Sequence, residues 1–228
     1  MSSVSGQGDP RELRRDARAN RERILGAAAD AFAEHGLEAS VEEIARRADV
    51  GMGTLYRRFP HKAALIDAIF EAHLDELARI ARQALDDPDA WEGLRTFLEQ
   101  TVSLQAHNRG FAEILAVHLR DEKLIAKARA RVTPLLGQLI QRAQAAGALR
   151  PDIVYEDVSV LLWTSGHIVE ATRDIAPAFW QRQLALALDA LRATNASPLP
   201  QPPLTTSQHQ RAMERFAEQL HLAPPPSR

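Results

Sequence analysis

Residues 51–62, with the sequence GMGTLYRRFPHK, carry hydroxyl, guanidinium and ammonium groups within one short segment. At the spacing of an α-helix, Met52, Leu55 and Phe59 fall on one face and can pack against other helices. The opposite, polar face holds Thr54, Arg57 and Arg58. Because hydroxyl and guanidinium groups can hydrogen-bond base edges and phosphates, this face suits the major groove of DNA. The alternative, a helical hairpin with a solvated basic face, fits the composition of the segment equally well.

A second short helix is predicted just upstream of this segment. Ser40 and Glu43 have the S-x-x-E spacing of a capping box, in which each side chain accepts a hydrogen bond from a backbone N–H at the helix start. Apolar residues then recur with helical spacing from Val41 to Ala48, which gives this helix one side that can be buried. Gly51 can cap the helix that follows. The sequence therefore predicts two short helices around a tight turn.

This pair of helices resembles the DNA-binding signature of the TetR/AcrR family of transcriptional regulators. The resemblance starts in the preceding helix and extends over about 50 residues without a gap. It is carried by Ile24, Leu25, Ala28, Phe32, Gly36, Ile44, Ala45, Gly53, Thr54, Leu55, Tyr56, Phe59, Lys62 and Leu65. Two positions depart from the family pattern, since Asp49 stands where glycine is common and Gly51 where serine is common. We expect left-handed backbone at Asp49, which aspartate tolerates better than most residues.

The resemblance implies that the second short helix enters the major groove. The residues expected to contact DNA are Ser40, Met52, Gly53, Thr54, Tyr56, Arg57, Arg58 and Lys62. Thr54 can bond a base or contact a thymine methyl group, and Arg57 can bind guanine with two hydrogen bonds. Lys62 and Ser40 stand at helix starts, where backbone N–H groups favour a phosphate. For Met52, partial packing inside the protein is as good an interpretation as base contact.

The composition limits the class of protein. The 228 residues contain no cysteine, which excludes a disulfide framework and a thiolate metal site. The chain lacks the roughly 18-residue apolar run of a membrane helix and the apolar region of a signal peptide, so we expect a cytoplasmic protein without membrane contact. The net charge is −2, but six arginines fall between residues 11 and 23. We interpret this basic run as a phosphate contact, with a solvated face as the alternative.

Helical periodicity continues through the chain, and we predict an all-α protein with an N-terminal three-helix helix-turn-helix head on a larger helical bundle. Helices are expected at about 17–35, 62–82, 90–107, 110–118, 121–146, 155–173, 177–193 and 207–221, in addition to the two short ones. The predicted domains are a flexible basic arm at 1–16, a helix-turn-helix DNA-binding domain at 17–62, a ligand-binding and dimerisation domain at 63–195, and a proline-rich tail at 196–228 that can form a short helix.

The larger bundle carries weaker chemical signals. The residues predicted to line an effector pocket are Phe111, His118, Trp163, His167 and Glu170. Three of them follow one another at helical spacing, so one helix can present them together, with the carboxylate orienting the imidazole. Ordinary core aromatics and partly exposed histidines are the alternative, and it is favoured for any single residue. Without an H-x-x-x-H pattern, a cysteine or a nucleophile motif, we expect no metal, cofactor or catalytic site.

The sequence thus favours a transcriptional regulator over two rivals. By resemblance, we expect a repressor that binds a palindromic operator as a homodimer. We expect a small-molecule effector to release this homodimer from the double-stranded DNA. The first rival is a small-molecule-binding or enzymatic helical bundle whose head has lost DNA binding. The second is a purely structural interaction protein. Neither rival explains why Thr54, Tyr56 and Lys62 are all present.

Overall fold

The computed structural model describes residues 10–107, 126–127, 130–194 and 196–222. In these ranges its regular elements are helices, apart from a short 3₁₀ turn and one isolated bridge between Leu149 and Arg192. The helices are α1 (Pro10–His35), α2 (Val41–Arg47), α3 (Met52–Arg58), α4 (Lys62–Leu85), α5 (Ala90–His107), α6 (Thr133–Ala145), α7 (Tyr155–Thr172), α8 (Phe179–Leu191) and α9 (Thr206–Leu222). The predicted all-α fold is confirmed. None of the helices in these ranges is long and apolar enough to cross a bilayer.

Two helix starts differ most from the prediction. Helix α6 begins at Thr133, within the helix predicted at 121–146, and α1 begins earlier than predicted. The helix begins at Pro10, seven residues before the predicted start at 17, so residues 10–16 belong to a helix and not to a flexible arm. Proline suits a first helical turn, because its missing N–H would have no partner there. The predicted helix at 110–118, with Phe111 and His118, lies outside the described residues.

The chain divides into two compact units, Met1–Ile69 and Phe70–Arg228. In the first unit, which we call the head, α1 ends where Gly36 takes a left-handed φ of 58°. Many apolar side chains of α1, α2, α3 and the start of α4 are buried. This core includes Ile24, Ala28, Phe32, Ile44, Ala45, Leu55, Phe59, Leu65 and Ile69. The helical stripes predicted from the sequence therefore form one apolar core.

In the second unit, which we call the body, α5 packs against α6, α7 and α8. Asp89 caps α5, because its Oδ1 accepts from the backbone N–H groups of Trp91 at 2.8 Å and Glu92 at 3.1 Å. The large buried side chains at the centre are Leu94, Phe97, Leu98, Leu139, Leu149 and Leu184. The segments after α6 and α8 are joined by a hydrogen bond from Arg150 N to Leu191 O at 3.0 Å.

Candidate DNA-binding interface

The turn between α2 and α3 is built from backbone hydrogen bonds and one left-handed residue. The N–H of Val50 donates to Ala45 O at 3.0 Å, and the N–H of Asp49 donates to Arg46 O at 3.2 Å. Asp49 has a φ of 52°, so the left-handed backbone expected there is confirmed. Gly51 then caps α3 through its backbone carbonyl, which accepts from Thr54 N at 2.9 Å. The turn thus sets the direction in which α3 leaves α2.

The start of α2 forms only half of the predicted capping box. Ser40 Oγ accepts from Glu43 N at 3.1 Å, as expected. The carboxylate of Glu43 does not return to the Ser40 backbone; its Oε1 accepts from Arg47 Nε at 3.0 Å. Ser40 is exposed, so its hydroxyl remains open to an external acceptor while it caps the helix.

Arg47 joins α2 to the end of α1. Its Nη1 donates to Glu34 Oε1 at 2.9 Å and its Nη2 donates to Glu34 Oε2 at 2.6 Å, in addition to the bond with Glu43. These hydrogen bonds lower the pKa of Glu34 below its ordinary value and raise that of Arg47. Since its charge is matched by two carboxylates, Arg47 holds the head together and is not a free cation for DNA.

The outward side of α3 carries the residues predicted to contact DNA. Leu55 is 1% exposed and Phe59 is 5% exposed, so these two residues fix the helix on the core. Met52 and Thr54 are half-buried at the edge of that core. The exposed residues are Gly53, Tyr56, Arg57 and Arg58. Within the part of the chain that the structure describes, Arg57 and Arg58 form no ion pair, so both can neutralise an external anion.

Gly53 is exposed on α3, although nothing inside the protein requires a glycine there. A Cβ atom built at this position meets no atom within 4 Å, and the residue is part of the helix. Glycine lowers helix stability relative to alanine by roughly 0.5–1 kcal/mol. A residue that costs stability without serving internal packing suits close approach by an external backbone or base.

The start of α4 places a histidine and a lysine beside the helix pair. His61 Nδ1 accepts from the N–H of Ala64 at 3.0 Å, which caps α4. Lys62 is half-buried, and its Nζ lies 5.9 Å from the centre of the Phe32 ring. The ring therefore positions the ammonium group that the sequence analysis predicts to contact phosphate.

Arg46 is a basic residue of this surface that the sequence analysis missed. It is exposed on the last turn of α2 and, among the described residues, forms no ion pair. Arg46 and Arg47 each follow a glutamate at i−4, so the sequence treats the two arginines alike. They are distinguished only by the tertiary contact of Arg47 with Glu34.

In the body, the structure describes three of the predicted effector residues, Trp163, His167 and Glu170, all on α7. Trp163 and His167 are half-buried, on a side of α7 turned away from the buried Val158 and Val169. Burial lowers the pKa of His167, while the nearby carboxylate of Glu170 acts in the opposite direction. Glu170 is exposed, and its Oε2 accepts from Arg173 Nε at 3.1 Å.

Two of the surface cavities in the described part of the body are not lined by Trp163 or His167. The first, of about 450 Å³, lies between α5 and α8 beside Trp180. The second, of about 440 Å³, lies between Asp152, Asp157 and the proline-rich residues 198–203. The position of an effector pocket thus stays a prediction.

Two family models match the chain. The model for bacterial regulatory proteins of the tetR family matches residues 24–69. The model for the C-terminal domain of SbtR-like transcriptional regulators matches residues 87–193. The first match contains the two short helices and the second extends from α5 through α8, so α9 lies beyond both.

Individual relatives agree with these matches. The transcriptional regulator UidR of Escherichia coli K12 is 30% identical over 149 residues, which are 62% of this chain and 74% of UidR. A helix-turn-helix regulator of Staphylococcus aureus is 31% identical over 105 residues, or 45% of this chain, and the chain spans 57% of the length of that relative. The crystal structure of the TetR regulator SCO0520 from Streptomyces coelicolor is 34% identical, with a TM-score of 0.62 over 76% of this chain and 99% of that one.

Proposed function

We propose that this chain, which belongs to the TetR family of bacterial transcriptional regulators, is a repressor whose DNA affinity is controlled by a small-molecule effector. Membership places the chain in a family of regulators and not of enzymes. The observation that carries the proposal is the exposed side of α3, where Gly53, Tyr56, Arg57 and Arg58 face outward from a buried Leu55.

In this proposal α3 lies in the major groove. Thr54 and Arg57 contact base edges, and Met52 and Gly53 border the same base pairs. Ser40, Tyr56, Arg58 and Lys62 contact phosphates, which adds affinity and fixes the register without selecting sequence. The support is their exposure or half-exposure around one short helix held by Leu55 and Phe59.

The proposed active form is a homodimer on a nearly palindromic operator. Two copies of α3 must be spaced by about 34–36 Å to enter successive major grooves. The dimer contact is assigned to α7 and α8. Its support on α8 is a pair of exposed apolar side chains, Phe179 at 42% and Leu186 at 57%, which lie two helical turns apart on one face.

The effector is proposed to bind the body, with Trp163 and His167 among its contacts and Phe111, His118 and Glu170 as further ones. An effector that binds better to a dimer with wrongly spaced heads lowers operator affinity by the same coupling free energy. His167 would then supply one of few polar groups, since burial keeps its imidazole neutral over more of the physiological pH range.

The test is binding of the purified protein to the DNA upstream of its own gene, measured by fluorescence anisotropy over a series of salt concentrations. A scrambled duplex of equal composition serves as competitor. We expect a preference of about 10³-fold or more for the upstream DNA. Arg82→Ala, which removes an exposed arginine of the body, should bind like the wild type. Equal affinity for both duplexes at every salt concentration would refute the proposal.

A further inference from the structure

Residues 196–222, which we call the strap, form an extended proline-rich segment followed by α9. The strap lies beyond the region matched by either family model. Its first residues are held by Arg150, whose Nη2 donates to Ser197 O at 2.7 Å. Asp152 pairs with the same guanidinium at 2.8 Å and thereby fixes it. The strap is thus tied to the body five residues before α7 begins.

The first turn of α9 contacts the first turn of α7 through two hydrogen bonds. Thr206 Oγ1 donates to Glu156 Oε1 at 2.9 Å. His209 Nε2 and Ser159 Oγ lie 3.0 Å apart. In both pairs the partners are 50 residues apart in sequence, so α9 advances along α7 in the same direction and in constant register.

His209 is the buried anchor of this contact. Only 8% of the residue is exposed, and its ring meets the ring of Tyr155 edge-on with 6.1 Å between centres. Gln208, Arg211 and Glu214 of the same helix are exposed. The helix therefore turns one side toward α7 and the other to solvent.

The strap changes which part of α7 another molecule can reach. Residues 155–163 are all buried or half-buried in a single chain. Full exposure on α7 begins at Thr164 and recurs at Glu170 and Ala171. If α7 packs against a second copy, its packing surface must be accessible in each chain. A surface of α7 that α9 already covers cannot pack against another helix at the same time.

We propose that the strap is a built-in competitor of dimerisation, which covers the first two turns of α7 within its own chain and must leave before a second copy can pack there. This inference rests on the proposed homodimer through α7 and α8. The contact is suited to release, because it rests on hydrogen bonds to exposed or half-exposed partners around one buried histidine. With the strap docked, copy-to-copy contact is confined to α8 and the part of α7 beyond these two turns.

The test uses Glu156→Cys combined with Thr206→Cys, joined by a short bismaleimide. Because the natural chain has no cysteine, the two introduced thiols are the only ones that can react. A control pair, Glu156→Cys with Glu214→Cys, places the second thiol on the outer side of α9. We expect the first pair to link within one chain, giving a monomer-sized product on a denaturing gel, and the control pair to link poorly. A covalent dimer from the first pair would overturn the proposal.

Measurements of dimer affinity then test whether the strap competes with dimerisation. By sedimentation equilibrium of the full chain, linking the strap should weaken dimerisation about tenfold, and His209→Ala should strengthen it by a similar factor. Gln208→Ala, on the exposed side of α9, should leave the affinity unchanged. A dimer of unchanged affinity in the linked and His209→Ala proteins would overturn the competition while leaving the homodimer standing. A protein that is monomeric in every form would overturn the homodimer and the competition together.

Discussion

The α2–α3 pair of the head and helix α7 of the body differ in how far their roles can be predicted from the local sequence. In α3, Leu55 and Phe59 are buried and the exposed residues lie on the other side, all within a few residues of one another. Helix α7 packs against α5, α6 and α8 and also carries the strap. A residue type in α3 therefore indicates its role, whereas a residue type in α7 does not indicate which neighbour it faces.

Substitution of Trp163 or His167 should have the strongest effect on the response of α7 to an effector. Changed separately to alanine, each should leave the dimer and operator binding intact but blunt release by any compound that dissociates the wild-type complex. The reason is that each removes an effector contact, and allosteric coupling is typically about 1–3 kcal/mol. Release is measured by anisotropy of the protein–operator complex during titration with the compound, with exposed Thr164→Ala as control.

The competing account assigns the same residues to the interface between copies, where tryptophan is also favoured. If both variants become monomeric at micromolar concentration, Trp163 and His167 belong to the dimer contact and the pocket assignment is wrong.

A smaller effect is expected on the pH dependence of the stability of the body. Burial lowers the pKa of His73 from 6.5 to about 3, so the folded protein keeps this imidazole neutral where the unfolded chain protonates it. Stability from this group is therefore complete above pH 6.5 and is lost as the pH falls toward 3. The loss should reach about 2 kcal/mol by roughly pH 5.

Urea unfolding at several pH values measures this dependence. His73→Gln should flatten it, whereas His107→Gln, at an exposed histidine, should not. An unchanged slope in His73→Gln would show that other groups control the acid sensitivity.

Gly53→Ala should separate stability from function in the head. The added Cβ meets no atom of the protein, so stability should rise by up to about 1 kcal/mol. Operator affinity should fall by about 1 kcal/mol or more, because the methyl group lies where DNA approaches. Gly137→Ala, at an equally open helical glycine of α6, should leave operator binding unchanged. Unaltered operator affinity in Gly53→Ala would remove this residue from the interface.

The smallest effect on sequence selectivity is expected from the N-terminal arginines. Changing Arg11, Arg14 and Arg15 to glutamine, or removing residues 1–16, should weaken operator and non-operator binding by similar factors. These charges neutralise phosphates, so the plot of log K against log salt should become shallower by about one unit for each lost contact. The same slope in the wild type and the variants would show that these residues do not contact DNA.

The difference between α3 and α7 also explains how much of the structure could be predicted from the sequence. Helical periodicity located α5 at 90–107, because the pattern depends only on residues within one helix. The half capping box at Ser40 was missed because Arg47 competes for the carboxylate of Glu43. The difference between Arg46 and Arg47 was missed because it depends on the distant Glu34. The docking of His209 on Ser159 spans 50 residues and follows no local period, so no sequence pattern indicated it.

Operator discrimination by Thr54→Ala and Arg57→Ala tests whether the outward side of α3 reads DNA. Competition gel shifts against a scrambled operator give the ratio of specific to non-specific affinity, and sedimentation confirms that the dimer is intact. Each lost base contact should reduce the ratio by about 1–3 kcal/mol in free energy. Unchanged discrimination in both variants would contradict the account and remove these residues from the reading surface.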